Sequence, residues 1–135
     1  MEKATARATL ISAAPQLFVS NLPASCDFFT RKLGFSIDFV HGDPPFYGQV
    51  VRGGALIALR HVDETVLKGI STAMKADIDM LAASIAVDDV KQLYLEFQAA
   101  GVAFHQALRA EPWGAQAFIV VDPDGNLLLF AGSSA

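Results

Sequence analysis

The second half of this chain repeats its first, and that repeat limits the fold more than any other feature. Val19-Ser20-Asn21-Leu22 opens a stretch running through Phe29 to Gly34, and Val87-Asp88-Asp89-Val90 opens one running through Phe97 to Gly101. Val19 and Val87, Asn21 and Asp89, Leu22 and Val90, and Phe29 and Phe97 all stand 68 residues apart. Further on, Gly54-Ala55-Leu56 matches Gly125-Asn126-Leu127 at a separation of 71. A repeat of sub-domain length implies two copies of one small module. They are expected to face each other across a cleft.

The order of elements within each copy follows from spacing and punctuation. Residues 1–7 read as a loose tail, Ala8 to Ile11 as a short strand, and Pro15 as an interruption, since proline cannot continue a ladder. Gln16 to Ser20 resumes as a strand. Asn21 is a helix N-cap with Pro23 in the first turn. Leu22, Cys26, Phe29 and Leu33 form the apolar stripe of that helix, which Gly34 ends. Phe35 to Val40, Phe46 to Val51 and Ala55 to Arg60 read as strands, the last two joined at Arg52-Gly53-Gly54. Residues 61–80 have no counterpart in the repeat, and Leu67, Ile70 and Met74 give them a short helix. The order then recurs: strand Leu81 to Val87, a helix capped by Asp89, and strands over Val102 to Leu108, Ala115 to Val121 and Asn126 to Phe130. The expected class is α+β. Two βαβββ modules (about 8–60 and 81–131, with linker 61–80) form one domain over 1–135.

The 135 residues are 53% hydrophobic and 18% charged, with a net charge of −4. That supplies a core and disfavours nucleic acid, which needs a basic face. No apolar run reaches the roughly 18 residues of a membrane span. The first residues lack a signal peptide's apolar stretch. The single cysteine, Cys26, cannot make an intrachain disulfide, so a reducing, cytoplasmic setting is expected. Its place on the apolar stripe marks it as core. His41, His61 and His105 show no paired-ligand spacing.

The element order together with Asp122-Pro123-Asp124-Gly125-Asn126, with Phe28 to Val40 and with Glu111-Pro112-Trp113-Gly114, resembles the vicinal oxygen chelate superfamily. Within it the bleomycin-binding proteins are the nearest match. The resemblance covers Ala13 to Phe130. It implies curved mixed sheets enclosing a cleft, and a homodimer whose N-terminal strand is exchanged at a proline, here Pro15. The superfamily's enzymes hold a divalent metal at four positions, which fall here on Ala14, Ala58, Ala82 and Leu129. An alternative register puts Arg60 in place of Ala58. None of these side chains has a lone pair for a metal of this kind. The expectation is therefore no metal, no cofactor and no catalytic residue. Its alternative is a metal-dependent lyase, isomerase or dioxygenase with relocated ligands. A third reading is a structural dimer with a vestigial cleft.

Without a metal, the cleft has rings and a few charges. Trp113, Phe46, Tyr47, Phe39 and Phe118 are candidates to stack on a planar ligand. Trp113 equally reads as a plug at a sheet end, and Phe39 as core. Asp38 and Glu111 would attract a cationic ligand, or stand as solvated acids. Arg60 either lines the pocket or pairs with an acid. The expected partner is a small, partly planar, antibiotic-like molecule with cationic character allowed. The strand Leu81 to Val87 carries no ring where bleomycin binders have bulky aromatics. If each lost stack costs on the order of 1 kcal/mol, affinity for bleomycin itself falls roughly tenfold or more.

Overall fold

A computed structural model describes residues 6–74 and 80–133, with side chains left aside from 70 to 74. It holds two four-stranded sheets. The first module is β1 (Gln16–Val19), α1 (Leu22–Asp27, continued by a π turn over Phe28–Lys32), β2 (Ser36–His41), β3 (Tyr47–Arg52) and β4 (Ala55–His61). After α2 (Glu64–Met74), the second is β5 (Leu81–Val87), α3 (Val90–Ala99), β6 (Phe104–Ala110), β7 (Gln116–Val121) and β8 (Leu127–Gly132). The sheet orders are β1-β4-β3-β2 and β5-β8-β7-β6. In each, the first strand joins its neighbour in parallel and the other pairs are antiparallel. The fold is α+β and carries the repeat strand for strand.

Both helices start as the sequence indicates. The Asn21 side chain accepts from Ala24 N–H at 3.0 Å, and Asp89 from Gln92 N–H at 3.1 Å. Each helix stops at a left-handed glycine, Gly34 (φ +72°) and Gly101 (φ +75°), a conformation that side chains resist. At Gly34 a Cβ would also come within 2.9 Å of the Arg52 guanidinium. α2 confirms a helix in the linker, although the side chains of Ile70 and Met74 lie outside the described residues. So do residues 1–5 of the expected tail. Ala8 to Ile11 is not a strand: residues 6–14 belong to no ladder, the first backbone hydrogen bond to the sheet is the Pro15 carbonyl accepting from Ala58 N–H at 2.9 Å, and Leu10 and Ile11 are 94% and 90% exposed.

One core serves both modules. Leu17, Val19, Leu22, Phe29, Val50, Ile57 and Leu59 pack with Val90, Phe97, Phe118, Val120, Leu128 and Phe130 in a single cluster. The helices cover one face of each sheet, so the opposite, outer faces are left for function. Polar ties also join the modules, among them Asn126 Nδ2 donating to the Phe18 carbonyl at 3.1 Å. Ser20 Oγ donates to Asp124 at 2.6 Å, Lys32 Nζ to the Gly101 carbonyl at 3.1 Å, and Arg52 donates through both Nη atoms to Glu96 at 2.7 and 3.0 Å.

Candidate ligand face

Side chains directly opposite each other in a ladder share a face, so register alone assembles the site. On the outer face of the first sheet, one row runs Gln16, Ala58, Gln49, Phe39 across β1, β4, β3 and β2. The next row runs Phe18, Arg60, Tyr47, His41. Phe39 and Tyr47 stand diagonally, with ring centroids 5.8 Å apart. Phe46 meets His41 edge-on at 5.5 Å. These rings are half-exposed rather than packed away. Phe39, Phe46, Tyr47 and Arg60 are thus brought to one surface. Phe18 and His41 complete it and were not singled out from the sequence. The signal was available in the strand period of β1 and β2, once the register between them is known.

Asp38 occupies a bulge, the extra residue between Ile37 and Phe39. Its carboxylate accepts from Gln49 Nε2 at 2.9 Å. Glu111 sits in the β6–β7 loop with its side chain 7% exposed. It accepts from Gln106 Nε2 at 3.2 Å and from Arg109 Nε at 3.3 Å. Trp113, two residues on, is 67% exposed. It therefore does not plug the sheet end within this chain.

Phe118 is a correction. Register sets it opposite Phe130 on the helix-covered face of the second sheet, stacked at 5.3 Å with planes 17° apart. It is fully buried against Phe97, Tyr94 and Phe104. It is core and lies on the helix-covered side of its sheet. The outer face of the second sheet carries Ser84, Leu129, Ile119 and Gln106 in one row and Ala86, Ala131, Ala117 and Arg109 in the next. It has no ring. Among the described residues, no hydrogen bond or ring contact joins the Phe39–Tyr47 surface to the Glu111–Trp113 loop.

Ala58 and Leu129 occupy the middle of these outer rows, Ala82 lies in a β5 bulge, and Ala14 precedes β1. Their hydrocarbon does not fit a metal ion. No group of three or more His, Cys, Asp or Glu gathers among the described residues. Cys26 is buried, and burial first, then the charge of Asp27, push its thiol pKa up, which makes it a poor nucleophile. A recess of about 640 Å³ lies elsewhere, between the β3–β4 hairpin and β5. Its lining is mostly small and apolar, with Arg52 already held by Glu96 and by the Leu33 carbonyl. That chemistry suits a stretch of backbone better than a ligand needing convergent polar groups. No described helix is long and apolar enough to cross a membrane.

No curated protein matches the chain. Among solved structures it resembles TioX from Micromonospora sp. ML1 (TM-score 0.70, 19% identity, 90% of this chain and 98% of that one). It also resembles a bleomycin-binding protein from Streptomyces verticillus in complex with copper(II)-bleomycin (0.69, 23%, 96% and 99%). A third likeness is to a bleomycin resistance determinant encoded on transposon Tn5 (0.70, 20%, 93% and 100%). At these identities the likeness is one of fold. The family model of the glyoxalase/bleomycin resistance protein/dioxygenase superfamily matches residues 10–130, and the chain belongs to that superfamily.

Proposed function

We propose that the chain is a metal-free binding protein that sequesters a small, partly planar molecule without breaking a bond. The observation that carries this reading is the pairing of aromatic surface with hydrocarbon. Phe18, Phe39 and Tyr47 surround Ala58 on one outer face, and Leu129 stands where the opposite half would offer a second ligand. Rings can stack on a guest. Alanine and leucine can neither polarise a carbonyl nor activate water, which is what a metal would contribute. Two structural relatives named for bleomycin binding or resistance support a small-molecule guest. Protection by such a protein works through mass action, so it must outnumber its ligand.

The same reading includes a homodimer. Among the described residues no hydrogen bond or ring contact joins the aromatic face to the Trp113 loop, and a second copy would bring a facing wall to the cleft. The exposed arm, residues 6–14, and the 640 Å³ recess along β5 support exchange of that arm at Pro15. Quenching of Trp113 fluorescence by a panel of planar antibiotics tests the proposal, with metal analysis of the same protein. Saturable quenching without turnover is expected, and bleomycin is expected among the weaker ligands. Stoichiometric zinc, nickel, manganese or iron, with turnover of a substrate, would replace sequestration by metal-dependent catalysis.

A further inference from the structure

The charge of the guest is written in which side chains already have partners. Asp38 is the one acid in the four strands of the first sheet, and Gln49 holds it. Glu111 is held by Gln106 and Arg109. Both acids that pointed to a cationic ligand are thus engaged. Arg52, the other arginine of the first sheet, is locked to Glu96. Arg60 differs. It lies between Phe18 and Tyr47 in the ladder, exposed, and its guanidinium makes no hydrogen bond or ion pair among the described residues.

We infer that the outer face of the first sheet selects a planar anion, an aromatic carboxylate or its like, with Arg60 as the residue that reads the charge. This rests on the ligand-binding reading above. A guanidinium stays protonated under all ordinary conditions. Covering it with a guest that offers no negative charge leaves it desolvated and unpaired, which is costly. A cationic guest on the same rings meets like charge. An aromatic carboxylate satisfies both demands at once. Its ring lies against Phe18, Tyr47 and Phe39, and its two oxygens accept from the planar fork of Arg60. His41, at the end of the row, adds a second donor.

The test uses three probes with one ring system: 2-naphthoate, 2-naphthamide and 2-naphthylmethylammonium, titrated calorimetrically into the full chain. The wild type is expected to bind the naphthoate about tenfold or more tighter than the ammonium, with the amide between them. Raising NaCl from about 50 to about 500 mM should weaken the naphthoate and leave the amide unchanged. Arg60→Gln should erase the preference, and Arg60→Lys should restore part of it, because lysine keeps the charge and loses the fork. Arg60 is exposed, so the glutamine variant should melt with the wild type. If it does not fold, the salt dependence of the wild type decides. Ammonium binding as tight as naphthoate, or naphthoate binding untouched by Arg60→Gln, overturns the inference while ligand binding stands. Failure of all three probes removes the binding reading and this inference with it.

Discussion

Asp122 is a buried acid that serves the fold. It is 5% exposed, and its Oδ1 accepts from the N–H groups of Asp124 at 2.9 Å and Asn126 at 2.7 Å, while Oδ2 accepts from Asn126 Nδ2 at 2.9 Å. Burial raises its pKa, more than these hydrogen bonds lower it. Because the folded value lies above the unfolded one, its contribution to stability is full in acid and shrinks as pH rises through the folded value. Asp122→Asn keeps an acceptor without the charge. Its stability relative to wild type should improve between about pH 3 and pH 7, as read by urea denaturation across that range. Asp122→Ala leaves the turn donors without a partner and should cost about 1–3 kcal/mol. At this scale the helix caps and the core position of Cys26 were legible, because each depends on local pattern. Phe118 was not. Ala117, Phe118, Ile119 and Val120 are all buried, so β7 shows no alternation from which its ligand side could be read.

The elements follow the repeat closely, and the departures have local causes. The Leu22, Cys26, Phe29, Leu33 stripe gives one helix, yet its second half is a π turn, with Leu33 N–H reaching the Phe28 carbonyl at 3.4 Å. Thr30 bonds back to the Cys26 carbonyl at 2.8 Å, a hydroxyl competing with the helix's own ladder. Spacing of apolar residues does not register one extra residue within a turn. β6 begins two residues later than its apolar run, because Val102 is spent closing α3, its N–H donating to Phe97. Asn21 caps a short α1 without help from an acidic first turn. Asn21→Ala should therefore destabilise the protein by about 1 kcal/mol, with an unchanged denaturant slope, measured by urea unfolding.

For the whole molecule, the question is how the two outer faces meet. The Arg52–Glu96 pair is more than a third exposed on each side and contributes at most about 1 kcal/mol, so it orients the modules more than it holds them. The shared core does the holding. Residues 6–14 are exposed, and Leu10 and Ile11 offer apolar surface that a second copy can bury. Removing residues 1–14 should shift the protein from dimer toward monomer in sedimentation, and should weaken ligand quenching of Trp113 in step. A truncated chain that stays dimeric and binds as before would sink the exchange of the arm.

The repeat, the α+β class, the caps and glycine stops of both helices, and the hydrocarbon at Ala14, Ala58, Ala82 and Leu129 can all be read along the chain. All of these rest on residue identity and near spacing, which a linear pattern records. Which side of each sheet a residue occupies, and which charged groups already have hydrogen-bond partners, emerged from the folded chain. Folding buried Phe118, brought Phe18 and His41 into the aromatic face, gave Asp38 and Glu111 their partners and left the Arg60 guanidinium without one among the described residues. Those outcomes depend on strand register across gaps of tens of residues, and a shift of one residue would exchange the two faces.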